Sequence, residues 1–513
     1  MMVILLGIDI GTSACNIAAL DAEDGRVIAS STQDYPVYHP RPGYVEQDAD
    51  DWWNAVCKGI RDLSDQGVDA SQIAAVGIDG QSWSCIPVDK DGEVLARTPI
   101  WMDTRADELA REVESQIGAE RIFSISGNPF KPSYVTPKFL HMKKYQPELI
   151  AKTDKILGSN AFIAFRLTGA ITHDYSQGYA WHFFNEAKLE YDHELAADLG
   201  IDMSYLPDLV APDAIVGKVT NEAAAKTGLL AGTPVVAGGL DAACGTLGAG
   251  VCRPGQTQEQ GGQAGGMSIC VDSALAHPQL ILSPHLVPGQ WLLQGGTVGG
   301  GGTLAWFSRE LGAAEEQIGR ENGMPAFAVM DDEASASPPG SKGMIYLPYM
   351  SGERSPLWDA KAQGVFFGLG YDKTRGDMIR AILEGTAFAL EHNVRIARTV
   401  GADVSEFRAM GGAANSRIWT QIKADITGKP FVVPAADTAT TWGAAIVAGV
   451  GAGVYKSYEQ AVDKTISIQR SHQPDMARHA AYEPYYDIYE SLYPTLKETM
   501  HKLADLKSST ADN

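Results

Sequence analysis

Val3-Ile4-Leu5-Leu6-Gly7-Ile8-Asp9-Ile10-Gly11-Thr12-Ser13-Ala14-Cys15-Asn16-Ile17-Ala18-Ala19-Leu20 decides the fold class of this 513-residue chain. Residues 3–9 predict a buried strand, Gly11-Thr12-Ser13 a tight turn, and 15–20 a second strand, with Asp21-Ala22-Glu23-Asp24-Gly25 as the hairpin loop into a third. An amphipathic helix follows over 48–63, where Trp52, Val56 and Ile60 are spaced i, i+4, i+8, and 73–78 is apolar enough for the next buried strand. Three hairpin-connected strands, a helix and a further strand make an α/β layer arrangement rather than an all-helical or all-β one.

The layout recurs further along. Thr233-Pro234-Val235-Val236-Ala237-Gly238-Gly239-Leu240-Asp241 reads as an apolar strand ending in two glycines and an acid, followed by a small-residue helix over 242–249 and a break at Arg253-Pro254-Gly255. Residues 258–271 again give strand, glycine-rich turn and strand, echoing 3–20. A long helix over 377–397, a strand into Met410-Gly411-Gly412, a helix over 415–427, a short strand at 431–433 and a helix over 441–450 complete the second half. Residues 103–230 alternate helical stretches with Gly/Pro breaks, and their elements stay unplaced. No Ser/Gly linker divides the halves. The expected domains are 1–252 and 253–513, each opening with a glycine-rich hairpin whose turn faces a shared cleft.

With 45% hydrophobic and 20% charged residues and 54 glycines, the chain is globular, and collagenous, coiled-coil and disordered classes drop out. Lys plus Arg is 41 against 63 Asp plus Glu, a net charge of −22 that argues against a broad grip on nucleic acid or an anionic membrane. A phosphorylated ligand bound with Mg²⁺ stays compatible with that balance, because local backbone N–H groups can hold it. The six cysteines, at 15, 57, 85, 244, 252 and 270, are dispersed without a CxxC pair and read as reduced thiols of a cytoplasmic protein; the eleven histidines suggest no metal cluster. The opening Met-Met-Val-Ile-Leu-Leu lacks a basic leader and runs into the first strand. Residues 280–307 are uncharged, but Pro284, His285, Pro288 and the run Gly299 to Gly302 argue against a spanning helix. That glycine run reads either as a close backbone approach or as a flexible turn.

Three stretches can carry chemistry. Asp9 stands at a strand end beside a turn with a glycine and two hydroxyls, where N–H groups can cradle phosphate oxygens and the acid can hold Mg²⁺; an ordinary Asx-type hairpin is the plainer reading. Gly238-Gly239-Leu240-Asp241 puts a second acid at a strand end, able to take the proton of an attacking hydroxyl, or simply to cap a helix. In Met410-Gly411-Gly412-Ala413-Ala414-Asn415-Ser416 a glycine pair lets a flat ring or a phosphate lie on the backbone, though a plain strand-to-helix turn has the same letters. No GxxxxGK[ST], HExxH or GxSxG run occurs.

In order and spacing these stretches resemble the sugar-kinase family known by the letters FGGY, and within it the xylulokinases most. The family's C-terminal signature is met by Gly364-Val365-Phe366-Phe367-Gly368-Leu369, seven residues, then Asp377-Met378-Ile379-Arg380-Ala381-Ile382-Leu383-Glu384. Trp52-Trp53, Gly80-Gln81, Trp101-Met102-Asp103-Thr104-Arg105, Ser351-Gly352-Glu353-Arg354-Ser355-Pro356 and Gly443-Ala444-Ala445 add to the likeness, which spans about 5–490. It implies two actin-like (ribonuclease H-like) α/β domains with an interdomain active-site cleft. It also implies ATP-dependent phosphorylation, with Mg²⁺, of a hydroxyl on a small ketose, first a pentulose such as D-xylulose, and next another ketose, a polyol or a sugar acid.

Residue by residue, the resemblance assigns Asp9 to the metal, Gly11, Thr12 and Ser13 to the phosphates, Asp241 to the general base, and Gly411, Gly412 and Asn415 to the adenosine pocket. Gln81, Ser82, Trp83, Asp103 and Asp241 would line the sugar side. The partner is then a small sugar, with neither nucleic acid nor membrane; homodimers are common among proteins resembling this one, while these residues carry no interface signal.

Two departures stand out. Gln81-Ser82-Trp83 occupies the place of a usual Gln-Met-His, and 21 residues beyond Asp241 the usual Gly-Thr-Ser-Gly is Gly262-Gln263-Ala264-Gly265, where only the Gln263 amide and the glycine backbone are left to meet phosphate. The second departure leaves a non-catalytic sugar or nucleotide sensor of the same fold as the rival reading. Among the remaining features, Glu353 and Arg354 read as a salt bridge near the domain interface, Asp103 and Arg105 as a pair, and Trp52, Trp53 and Trp419 as core.

Overall fold

Two seven-stranded sheets organise the chain in the computed structural model, which describes residues 2–435 and 439–511. The first sheet contains β1 (Ile4–Ile10), β2 (Ala14–Asp21), β3 (Val27–Asp34), β4 (Ile73–Gly80), β5 (Ile215–Lys218), β6 (Pro234–Val236) and β7 (Gly239–Leu240). Its order is β5-β6-β4-β1-β2-β3, with β7 also pairing with β4. The meander β1-β2-β3 is antiparallel, whereas β4 runs parallel to β1 and β6 parallel to β4.

The second sheet contains β8 (Gln256–Gly261), β9 (Gly265–Val271), β10 (Ile281–Pro284), β11 (Trp291–Thr297), β12 (Glu406–Met410), β13 (Phe431–Pro434) and β14 (Ile468–His472), in the order β10-β11-β9-β8-β12-β13-β14. Its run β11-β9-β8-β12-β13 repeats the antiparallel and parallel pairings of β3-β2-β1-β4-β6, with β10 added between β9 and β11 in the chain and paired outside β11. The echo heard in the letters of 3–20 and 258–271 is therefore a repeated topology, that of two actin-like α/β domains. The uncharged stretch 280–307 supplies β10, β11 and the start of a helix, Gly301–Leu311, and among the described residues no helix is long and apolar enough to cross a membrane.

Local chemistry sets the helices. Ala49–Asp65 starts where the Asp48 carboxylate accepts the Asp50 N–H at 3.0 Å, and it buries Trp52, Val56, Ile60 and Leu63 against the first sheet. Arg375–Thr399 begins at a Thr374/Asp377 capping box, in which Asp377 is the first residue of the second part of the FGGY-like signature. Within the unplaced 103–230, helices Asp107–Ile117, Ala119–Ser126 and Val135–Tyr145 enclose a separate apolar cluster around Phe139, Trp181, Phe183 and Phe184. All six cysteines are buried and unpaired.

The tightest packing joins the two sheets. Helix Asp241–Gly248 leaves the first sheet, and helix Ala439–Gly451, from beyond β13, comes back to lie on β1, β4 and that first helix. Both helices consist largely of Gly, Ala and other small residues, so the backbones meet directly. A Cβ on Gly7 would sit 1.9 Å from the Thr441 carbonyl oxygen, one on Gly77 1.9 Å from that of Ala444, and one on Gly443 1.9 Å from that of Cys244.

Any side chain there must push elements apart. We expect Gly443→Ala to lower unfolding free energy by about 1–3 kcal/mol, the usual range for an overpacked core, measured by denaturant titration. Gly412→Ala, where nothing lies within 4 Å of the added carbon, should leave the midpoint unchanged.

Candidate active site

Strand register gathers three carboxylates at one edge of the first sheet. Asp9 of β1 lies opposite Asp79 of β4, Gly239 of β7 pairs with that same Asp79, and Asp241 begins the helix two residues later. Asp9 is 8% exposed and its Oδ2 accepts from Asn16 Nδ2 at 3.1 Å. Asp79 is wholly buried and lies against Asp9 with no donor reaching it from the other described residues. Burial first, and then the charge of Asp9, hold its acid well above the usual carboxylate range, and burial raises Asp9 as well.

Asp241 is the titratable member of the edge. Its Oδ1 accepts the Ala242 N–H at 2.7 Å, which favours the anion, but burial and then the neighbouring charge of Asp9 outweigh that bond and push the acid up to about 7. Near neutrality about half of it is ionised, the condition in which a carboxylate both accepts a proton and is driven to do so.

The turn after β1 is braced from below. Trp101 Nε1 donates to Thr12 Oγ1 at 2.9 Å, Gln47 Nε2 to the Thr12 carbonyl at 2.8 Å, and Tyr35 Oη to the Gly11 carbonyl at 2.6 Å. Gln81, expected on the sugar side, donates through Nε2 to Gln47 Oε1 at 2.7 Å and to the Gly11 carbonyl at 3.3 Å, which ties it to the brace, while its Oε1 is buried without a partner among the described residues. Ser13 stands exposed at the tip.

The corresponding turn in the second sheet, residues 262–264 between β8 and β9, is tied to the head of helix Gly301–Leu311. Gly301 N–H donates to the Gly262 carbonyl at 2.7 Å and Gly302 N–H to that of Gln263 at 3.0 Å. A Cβ on Gly300 would come within 2.4 Å of the Ala264 carbonyl carbon and one on Gly302 within 2.2 Å of Gln263 Nε2, so the glycine run 299–302 is a close backbone approach. Beside it opens a cavity of about 660 Å³, with Gln263 and Gly302 on its border together with Gly412, Asn415, Phe327 and Trp419. Gly411, at φ 79°, turns the chain into that border. Trp52 and Trp53 are core as expected; Trp419 is only 3% exposed yet also borders the cavity.

At the positions expected on the sugar side, Ser82 Oγ accepts from Tyr179 Oη at 3.2 Å and Trp83 stacks on Tyr134 with ring centroids 4.1 Å apart. Tyr134 and Tyr179 share an apolar cluster with Leu240 and Ala243, with Trp83 packed against it, which places this aromatic group near the carboxylate edge. Trp83 has φ 58°, uncommon for a bulky residue, and Lys138 Nζ holds its carbonyl at 2.9 Å and that of Ile100 at 2.6 Å. Burial pulls the Lys138 ammonium down to about 7.

Asp103 is wholly buried, and its oxygens already accept from Val45 N–H (2.7 Å), Arg105 N–H (3.0 Å), Arg105 Nε (2.8 Å) and Arg105 Nη2 (2.7 Å). It forms the expected pair with Arg105 and stands in the wall behind the aromatic group. The reading of Glu353 and Arg354 as a salt bridge is corrected: Glu353 Oε1 takes the Val298 and Arg354 N–H groups at 2.7 and 2.8 Å, while Arg354 Nη2 turns to the Thr297 carbonyl at 3.3 Å. Both backbone donors reach Oε1, while Oε2 is buried without a partner among the described residues.

Sequence reasoning passed over Asp79, Lys138, Tyr134 and Tyr179. For Asp79 a signal existed: Gly77-Ile78-Asp79 repeats Gly7-Ile8-Asp9, two strand ends with the same letters side by side.

Comparison with known proteins bears on the family of the chain. Residues 4–248 match the N-terminal domain, and 271–452 the C-terminal domain, of the FGGY family of carbohydrate kinases. A xylulose kinase of Staphylococcus epidermidis is 31% identical over 511 residues, 99% of each chain, and a gluconokinase of Bacillus licheniformis 28% identical over 508 residues, 98% of each. The crystal structure of xylulose kinase from Rhodospirillum rubrum superposes with a TM-score of 0.88 at 28% identity, covering 97% of this chain and 100% of that one. With both family domains matched in order and a relative at 31% identity along its whole length, the chain belongs to the FGGY family of carbohydrate kinases and is a sugar phosphotransferase.

Proposed function

We propose that the chain transfers the γ-phosphate of ATP to a hydroxyl of a small neutral ketose, a pentulose such as D-xylulose before any other, with Asp241 as general base. The observation that carries this reading is the Asp241 carboxyl, poised at about 7 beside Asp9 and within electrostatic reach of the Trp83–Tyr134–Tyr179 group. As the substrate oxygen bonds to phosphorus, Asp241 takes its proton; the turns at Gly11, Thr12, Ser13 and at Gly262, Gln263 hold phosphate oxygens, and Gly411, Gly412 and Asn415 border the adenosine. The domains 1–252 and 253–513 would then carry sugar and nucleotide respectively, their closure excluding water.

Asp9 suits Mg²⁺. Among the described residues no group of three or more His, Cys, Asp or Glu side chains is arranged to hold a metal, and Mg²⁺ is commonly bound through one or two carboxylates plus substrate phosphates. Bound there, the ion supplies charge neutralisation for the phosphate oxygens. The residues' own work is positioning: Asn16 orients Asp9.

A neutral ketose is favoured over a sugar acid because the cations of the sugar side are already engaged. Arg105 binds Asp103 and, at 2.7 Å, Glu46, while Lys138 binds two carbonyls. ADP formation over a panel of pentuloses, hexuloses, polyols and sugar acids should rank a pentulose first and gluconate far behind. Trp83→His should change kcat/KM between pentuloses by about tenfold or more, the size of effect when a substrate hydrogen bond is gained or lost. Gluconate in first place would overturn the substrate reading, and ADP formation from none of them the kinase reading.

Asp241→Asn should lower kcat by about 10²- to 10⁴-fold, as removal of a general base does, with sugar affinity kept within a few-fold. The folded chain keeps the Asp241 proton between about pH 4 and about 7 while the unfolded chain has released it, so this group lowers stability as pH rises through that window. The amide removes that loss, and the variant's melting midpoint at pH 8 should equal or exceed the parent's.

The acid limb of kcat/KM should bend near pH 7 and fall tenfold per unit below it, because only ionised Asp241 accepts the proton. A limb near pH 4, where an ordinary carboxylate titrates, would remove Asp241 from the role.

A further inference from the structure

Asp241 follows a strand too short to fix it. β7 is two residues long and meets β4 at two positions, Gly239 opposite Asp79 and Leu240 opposite Gly80, and the chain enters it through Gly238 at φ 74°. Leu240 is also the N-cap of helix Asp241–Gly248, where its apolar side chain offers no capping bond. The backbone from which the Asp241 carboxylate departs therefore needs a hold from outside the sheet.

Asn160 and residues 174–177 supply that hold. Ser176 Oγ accepts the Leu240 N–H at 2.9 Å and donates its own proton to Asp174 Oδ1. Asp174 Oδ1 also accepts the Gln177 N–H at 3.1 Å, and Oδ2 accepts from Asn160 Nδ2 at 2.8 Å. Asn160 Nδ2 donates as well to the Ala237 carbonyl at 3.1 Å, and Gln177 Nε2 to the carbonyl of Gly80, opposite Leu240, at 3.0 Å. All four side chains are buried.

Capping of the one-turn helix Tyr175–Gly178 accounts for the bond between Asp174 and the Gln177 N–H and for nothing more. It leaves unexplained a serine hydroxyl that reaches out of that turn to β7. A Cβ on Gly239 would sit 2.7 Å from Ser176 Oγ, so glycine at 239 is what admits the hydroxyl to the strand. Three donors on one buried carboxylate fix the orientation of Asp174. Asp174 then fixes the direction of the Ser176 O–H, which turns the oxygen's lone pairs to the Leu240 N–H.

With Asp241 read as the general base, we propose that Ser176, oriented by Asp174, is a positioning residue for that base: it sets the backbone at Leu240 and, through it, the direction from which the Asp241 carboxylate meets the substrate hydroxyl. Ser176 touches no reacting atom. Its effect on rate comes from geometry, where a displacement of about 1 Å can cost about 10²-fold.

The test is steady-state kinetics of the full chain, with the sugar that gives the highest turnover, for Ser176→Ala, Asp241→Asn and the double variant, alongside Mg-ADP affinity by calorimetry and circular dichroism. Ser176→Ala is expected to lower kcat by about 10- to 100-fold, with the sugar KM and the Mg-ADP affinity within about threefold of the parent. The double variant should be as slow as Asp241→Asn alone, within about threefold, because a residue that acts only through the base has nothing left to position. Losses that multiply in the double variant, a raised sugar KM at unchanged kcat, or parental kinetics in Ser176→Ala overturn the proposal. Should Ser176→Ala fail to fold, Ser176→Cys, close in size but with a weak acceptor, takes its place under the same expectations. Parental turnover in Asp241→Asn removes the base reading and this proposal with it, a failure told apart from the others because it is read from that variant alone.

Discussion

Backbone-to-backbone contact at the crossing of helices Asp241–Gly248 and Ala439–Gly451 is the constraint on which the rest depends. Carbonyl oxygens of Thr441, Ala444 and Cys244 occupy the space where side chains of Gly7, Gly77 and Gly443 would be. Such proximity maximises dispersion contact per residue and leaves no slack. It also sets the chemistry: Gly7 and Gly77 are each two residues from an acid, Asp9 and Asp79, and the first helix begins with Asp241. Shifting either helix by the width of a methyl group would move the three carboxylates relative to one another, and their electrostatic coupling with them.

That coupling works against stability. Three acids at one buried edge cost desolvation and mutual repulsion, which raise all three and which the Ala242 N–H offsets in part at Asp241. The wall behind the aromatic group is resolved in the opposite way, with Asp103 and Arg105 in a two-pronged pair and Lys138 divided between two carbonyls. Burial thus has two outcomes in neighbouring places: complete pairing where the group supports the fold, and incomplete pairing where a proton can move.

The elements legible in the sequence were those with local periodicity or local punctuation. Helix 48–63 and strand 73–78 lie within two residues of Ala49–Asp65 and Ile73–Gly80, and the echo of the first hairpin in the second is a true repeat of strand order. What the letters withheld depends on distant partners. Nothing in Gln81 says that its amide N–H groups turn to Gln47 and the Gly11 carbonyl, and nothing near Glu353 says that two backbone N–H groups will meet its Oε1 while Arg354 turns to the Thr297 carbonyl. Residues 103–230 stayed unplaced because their helices are short and close on an apolar cluster drawn from widely spaced positions, Phe139 and Phe184 among them. Asp79 is the instructive miss: its tripeptide was visible twice, but only strand register makes the repetition a site.

Helix Ala439–Gly451 has one more consequence, for synthesis. A chain leaving the ribosome ordinarily folds its first domain while the second is being made. Here the face of β1 and β4 that this helix covers stays open until residue 451 of 513 has emerged. Until then Leu5, Ala75 and Val236, which end fully buried, present an apolar surface to the cell. The nascent chain is therefore a client for whatever shields such surfaces, for most of the time it takes to be made.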